Sequence, residues 1–421
     1  MKAAFLLFIL CGALGCTGGG QRPPAPAGGA SVNLASSSLY ENAFSGETGE
    51  SPAFQAPPGN ALVLVREGTN GTDNGLALLL DALGRTGKPF FRDNGNDGFI
   101  DRNDTVIIKI NSQWAERGGT NTDLLKALIQ YMVGDPGGFS GEIIIADNGQ
   151  GMFGSERRGG SLDWDNTNAK DQKQSAGDVA DYFAAQGHRV SGFLWDTITR
   201  NEVREYSDGD GQDGFVLGDT VQPANIRISY PKFTTRYGTR VSFKMGIWDE
   251  DARQYRSRAL KIINMPVLKH HSIYQVTGAI KSYMGVPSNS LTSMSPHQSV
   301  GRGGMGALMV HTRIPVLNIL DMIWISPDHG PSSRYSQAAA KNMTALSTDP
   351  AALDYWAAKY VLMDAAKAAG NARYASLSPD AAEPGSFGYW LRLSAEELRK
   401  GGFPAIIDEA RITVLKIGQT P

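Results

Sequence analysis

An α/β fold, with a largely parallel sheet flanked by helices, is predicted by two features of the 421-residue sequence. Near-continuous runs of Val, Ile and Leu, the composition of strands buried on both faces, recur along the chain. Between them lie segments with apolar residues at three- and four-residue spacing, and strand and helix patterns that alternate in this way build a mainly parallel sheet. From about Tyr206 to Arg258 the alternation stops, and Gly, Asp and aromatic residues follow without a helical period. That stretch predicts an inserted, β-rich elaboration.

Taken in order, the strands are expected at Ala61 to Arg66, Thr105 to Asn111, Glu142 to Ala146, Leu260 to Asn264, Val316 to Ile325 and Ile412 to Ile417. Helical spacing marks Asn74 to Leu83, Thr122 to Val133, Asp178 to Gln186 and Pro350 to Ala369. Asp349 before Pro350 supplies a carboxylate for the first free amides and a ring preset for the first helical position. Ser394 with Glu397 has the spacing of a capping box, which predicts a short helix ending at Gly401 and Gly402.

Composition narrows the function classes. A net charge of −2, with 41% hydrophobic and 19% charged residues, gives no electrostatic pull toward nucleic acid, and no nucleic-acid partner is expected. The 50 Gly and 21 Pro mark a loop-rich protein. Cys11 and Cys16 are the only cysteines, so the body of the chain has no thiolate for a disulfide, a zinc site or an iron–sulfur cluster.

Those cysteines sit in a segment with Lys2, an apolar run from Ala3 to Leu14, and Gly15 before Cys16. This is the layout of a cleaved export signal, too short to span a bilayer. It resembles a bacterial lipoprotein signal, with Ala13 where a Leu is usual and Leu14 displaced by one. The resemblance implies a signal over residues 1–16 and acylation of Cys16, with enough lipid chain for stable anchoring. Residues 17–60 are rich in Gly, Pro and Ser and form a flexible tether; residues 61–421 form the α/β body. An extracytoplasmic, lipid-anchored protein of the cell envelope is expected, with simple secretion as the alternative.

Three of the strand-like runs end in polar residues. Lys109 and Asn111 share a face by the two-residue period, Asp147 and Asn148 precede Gly149, and Asn264 leads into Pro266, Lys269, His270 and His271. Ligands of open α/β sheets bind beyond the carboxyl ends of the strands, so these ends are candidates for one shared site. The alternative is a set of solvated loop-edge residues. His270 and His271 point to opposite sides of an extended segment, so at most one belongs to a common pocket. No HExxH, Walker or nucleophile-elbow pattern is present to indicate a zinc protease, a nucleoside triphosphatase or a serine hydrolase.

The ordered segments VIIKIN (106–111), INMPVLKHH (263–271), TGAIKSYMG (277–285), LNILDMI (317–323), Gly330-Pro331 and STDPAALDYWAAK (347–359) resemble the motif set of the domain of unknown function 362 family over residues 60 to 370. The resemblance singles out Lys109, Asn111, Asn264, Pro266, Lys269, His270, Gly278, Lys281, Gly285, Asp321, Asp349 and Asp354. Relatives with ferredoxin-like cluster domains imply no redox role here, because the body lacks cysteine. Three ammonium groups and two amides meeting in a crevice would favour a small anionic ligand, a carboxylate or phosphate. Lys269, His270 and Lys281 then take the catalytic places, with His270 or a desolvated lysine moving protons. Lys109, Asn111, Asp147, Asn264, Asp321 and Asp354 take the ligand-binding ones. Alternatively, Lys269 and Lys281 pair with Asp321 or Asp354 to lock the fold without catalysis. Enzyme and binding protein both stay open.

An independent pattern, DNGNDGFIDRND (93–104), places Asp93, Asp97, Asp101 and Asp104 at positions one, five, nine and twelve of a calcium-type loop, with Gly98 at six. Gly95 stands where a third-position ligand is expected, and Asp104 replaces the usual Glu. Calcium is therefore the candidate cofactor, structural rather than catalytic, and a solvated Asp/Asn/Gly turn is the alternative. Residues 207–221 carry a looser echo of the pattern. Met284, Met294, Met305 and Met309 near His297 and His311 fit core packing better than a soft-metal site. Ser288 to Gly306, rich in Ser and Gly, is expected to be a mobile flap over the crevice.

Overall fold

The computed structural model describes residues 56–92, 98–149, 160–207 and 210–418. β1 (Ala61–Glu67) leads through α1 (Gly75–Arg85) to β2 (Thr105–Lys109), α2 (Thr122–Val133), β3 (Glu142–Asp147), α3 (Ala176–Ala184) and β4 (Val190–Leu194). Six strands follow: β5 (Glu202–Val203), β6 (Gly214–Val221), β7 (Ile226–Thr234), β8 (Arg240–Ser242), β9 (Gly246–Asp249) and β10 (Gln254–Arg256). The chain returns with β11 (Leu260–Asn264), β12 (Val267–His271), β13 (Gln275–Thr277) and three short helices, α4 (Ala279–Ser282), α5 (Ser295–Ser299) and α6 (Gly304–His311). It closes with β14 (Leu317–Ser326), β15 (Ala339–Ser347), α7 (Pro350–Ala357), α8 (Met363–Ala368), α9 (Phe387–Lys400) and β16 (Ile412–Ile417).

The fold is α/β. Its main sheet has ten strands, ordered β16-β1-β15-β14-β11-β2-β3-β4, with β12 and β13 attached along the far part of β14. Pairing is mostly parallel; β15 runs antiparallel between β1 and β14. Both faces are buried, which explains the unbroken apolar runs. Val106, Ile108, Ile143, Ile145 and Ile263 face Leu79, Leu125, Ile129 and Phe183 of α1, α2 and α3. Ile107, Ile144 and Ile262 face the other core, which the second sheet and the later helices complete with Trp195, Phe215, Phe243, Leu353 and Trp390. That second sheet has six strands, β10-β9-β8-β7-β6-β5, and is mainly antiparallel.

Local chemistry sets several element ends. Asn121 caps α2 by accepting from Leu124 N at 3.0 Å, and Asp349 caps α7 by accepting from Ala351 N and Ala352 N. Two expectations are corrected. Ser394 does not begin a helix: α9 starts at Phe387 with Ser386 as its cap, accepting from Tyr389 N, and Ser394 is buried in mid-helix. Apolar Phe387, Trp390, Leu391 and Leu398 carry the helix through the capping-box pattern. Nor is 288–306 a flap, because it folds into α5 and α6 with Ser288, Asn289, Ser299, Met305 and Gly306 buried. Among the described residues, no helix is long and apolar enough to cross a membrane.

Candidate functional site

Pro266 interrupts the strand that β11 begins. Lacking an N–H, it cannot continue the ladder. The chain is nevertheless held on both sides, by Met265 N donating to Lys109 O at 2.7 Å and Asp321 N donating to Pro266 O at 2.8 Å. Beyond the break, β12 runs past the carboxyl end of β2 and folds back on β13, pairing Lys269 with Thr277 and His271 with Gln275. Lys269 and His271 therefore share a face. α4 follows β13 directly and brings in Lys281.

These elements enclose a cavity of about 240 Å³ whose lining includes Lys109, Asp147, Lys269, His271, Thr277 and Lys281. All three lysines are almost wholly buried, at 0%, 2% and 4% exposure for Lys109, Lys269 and Lys281. Lys109 Nζ lies 2.8 Å from Asp147 Oδ1 and donates to Ile110 O and Ser282 Oγ. Asp147 Oδ2 accepts from Ser112 N at 2.7 Å. Gly285 allows this approach, since a Cβ there would stand 2.1 Å from Asp147 Oδ1. Lys269 Nζ donates to Gly118 O. For Lys281 no hydrogen bond or ion pair occurs among the described residues.

Three cations facing one carboxylate in a buried space depress one another. Burial pushes Lys269 down to about 7, with the charges of Lys281 and Lys109 adding to it and Asp147 opposing. Burial and then Lys109 push Lys281 down to about 7. Lys109 is also lowered by burial, against the pull of Asp147. His271 is held far below its ordinary value by burial and then by Lys281 and Lys269, so its ring is neutral. Its Nδ1 accepts from Ile273 N and Tyr274 N, both at 3.1 Å, which leaves the single proton on Nε2 as a donor.

Of the residues chosen from sequence, Lys109, Asn111, Asp147, Lys269 and Lys281 meet at this cavity. His270 does not. It points to the opposite side of β12, among the charges of Asp328 and Arg373, and His271 takes the inward place. The remaining three lie behind the wall. Asp354 accepts from Ala279 N and Ile280 N, and Asn264 donates to Ala279 O, so both hold α4 and its Lys281 in place. Asp321 accepts from Asn121 N at 2.8 Å and Ile323 N at 3.0 Å. Burial raises Asp321 and Asp354 to about 7. Neither is an ion-pair partner of Lys269 or Lys281, so no lysine lock of that kind forms among the described residues.

Asp93 and Asp97 of the calcium-type loop lie outside the described residues. Asp101 pairs with Arg92 at 3.1 Å, and Asp104 with Lys261 at 3.0 Å. Among the described residues, no group of three or more His, Cys, Asp or Glu could hold a metal. Met305 and Met309 are core residues, whereas Met284 and His297 line the cavity.

Residues 254–359 match the family model of DUF362, a domain of unknown function. The matched segment runs from β10 into the helix after α7. It supplies Lys269, His271, Thr277, Lys281 and Gly285 together with their supports Asn264, Asp321 and Asp354. Lys109 and Asp147 come from β2 and β3, outside the matched residues, so the cavity is assembled by the matched segment and the strands before it. No curated protein and no solved structure matches the chain.

His271, Thr277 and Ser282 escaped the sequence argument. Counting by two from Lys269 along an extended segment selects His271, and that signal was present. Thr277 and Ser282 needed the β12–β13 turn, which no Asn-Gly or Asp-Gly pair announces.

Proposed function

We propose that the crevice binds a small anion, a carboxylate or phosphate, and that its lysines take up protons as the anion enters. One observation carries this: three lysine side chains line one buried cavity and, among the described residues, Asp147 is the one carboxylate in its lining. Buried charge without a partner is costly, so a site with surplus ammonium groups is completed by an anion. Lys269 and Lys281 near neutrality lose little by shedding protons in the empty state and regain them beside an anion. His271 offers a neutral N–H to the same ligand. The cavity of about 240 Å³ suits a compact ligand rather than a nucleotide.

The test is calorimetric titration of wild type, Lys269→Met and Lys281→Met with oxalate and inorganic phosphate. Wild type is expected to bind one of them, and each substitution to weaken it about tenfold to a hundredfold, the loss of one charge-assisted hydrogen bond. Equal affinity in folded variants would remove the anion crevice.

The N-terminal residues support a second proposal, that the protein is exported and held at a membrane by lipid on Cys16. Mass spectrometry of the mature N-terminus tests it: an acylated Cys16 is expected, and an unmodified residue other than Cys16 would exclude the anchor.

A further inference from the structure

One amine in the crevice is left over. Lys109 is engaged by Asp147, Ile110 O and Ser282, and Lys269 by Gly118 O, which fixes both in place. Lys281 lines the same space with no hydrogen bond or ion pair among the described residues, its Nζ 5.7 Å from the centre of the Tyr274 ring. His271 and Thr277 are among the other polar residues that border the cavity. His271 presents its Nε2–H, and the Thr277 hydroxyl, on a side chain with 4% exposure, has no partner. Asp354 and Asn264 hold α4 from behind, so Lys281 is presented from a fixed backbone.

We propose that Lys281 forms an imine with a small carbonyl compound bearing a carboxylate or phosphate, the anionic group seated against Lys109 and Lys269 and the carbonyl oxygen accepting from His271 Nε2. This deepens the anion-crevice proposal and rests on it. The lone pair of Nζ attacks the carbonyl carbon and the C–N bond forms. The C–O bond then breaks, and the oxygen leaves as water with both amine hydrogens. A buried amine beside another cation supplies the unprotonated nucleophile this step requires. Burial and then Lys109 lower Lys281 to about 7, so a share of the amine is unprotonated at neutral pH.

Reductive trapping tests the inference. Folded wild-type protein is treated with pyruvate and cyanoborohydride and digested, and the modified lysine is located by mass spectrometry; oxalate binding, which needs the anion seat but offers no ketone, is measured in parallel. Expected are a single reduced adduct on Lys281, its suppression by excess oxalate, and its loss in Lys281→Arg and Lys281→Met. Suppression by oxalate in wild type keeps the inference testable if either variant fails to fold. Oxalate binding with no adduct, or with adducts only on exposed lysines, would overturn the imine and leave the anion crevice standing. Absence of an adduct together with absence of both oxalate and phosphate binding would remove the two together, and an adduct on Lys281 indifferent to oxalate would overturn the shared seat.

Discussion

The two ends of the same parallel strands hold lysines in opposite electrostatic situations. At the amino end Lys261 opens β11, pairs with Asp104 at 3.0 Å, donates to Arg258 O and borders a wide cleft of about 1030 Å³. At the carboxyl end Lys109, Lys269 and Lys281 share about 240 Å³ and one carboxylate. Lys261 therefore has a carboxylate of its own, whereas among the described residues the three lysines of the smaller hollow have only Asp147 between them. Unmatched buried charge, more than volume, marks the place where a ligand completes the protein.

The sharpest way to break this contrast is to remove Asp147, the one carboxylate of the cavity lining among the described residues. Asp147→Asn strands the Lys109 ammonium, and a loss of about 3–5 kcal/mol is expected from denaturant unfolding. Gly285→Ala should also weaken the site, because its Cβ would press on the same Asp147 oxygen. Next come lysine substitutions of opposite sign. Lys269→Met and Lys281→Met, relieved of repulsion and desolvation, should raise stability by about 1–3 kcal/mol while weakening anion binding. Lys261→Met, which deprives Asp104 of its partner, should lower stability by about 1–3 kcal/mol. Destabilisation in all three would erase the difference between the two ends.

Proton linkage sharpens it further. Lys269 and Lys281 fall to about 7 in the folded protein from 10.5, so between these values the unfolded chain binds more protons and folded stability rises with pH. The penalty is complete below about 7. The advantage of the Lys269→Met/Lys281→Met double variant over wild type should therefore shrink from pH 7 to 9 by about 2 kcal/mol per pH unit, roughly half from each lysine, read from unfolding curves at each pH. The smallest effect is expected at the exposed Arg92–Asp101 pair, where Arg92→Ala should change stability by less than about 0.5 kcal/mol.

Much of the frame was legible in the residues. Thr105–Lys109, Glu142–Asp147, Leu260–Asn264 and Ile412–Ile417 are strands because both faces of the sheet are covered, and unbroken Ile and Val runs report that directly. β15 was not legible: Ala339–Ser347 contains Lys341, Asn342 and Thr344, and it pairs as a strand through its neighbours β1 and β14 rather than its own composition. At the site, the period of two placed Lys109 and Asn111 correctly on the cavity side, yet His270 was preferred to His271. The distinction depends on Lys269 and His271 lying on the same side of an extended β12. Asp354 and Asp321 looked like ligands because they are carboxylates in motif positions. Their oxygens are taken by backbone N–H groups of distant segments, a use that only tertiary structure reveals.

Proton uptake on anion binding tests the central claim most directly. Calorimetry of oxalate binding at about pH 8, in two buffers of different ionisation enthalpy, counts the protons that Lys269 and Lys281 recover. The account predicts net uptake in wild type, reduced in Lys269→Met and in Lys281→Met. Binding without proton exchange, or no binding at all, would contradict it.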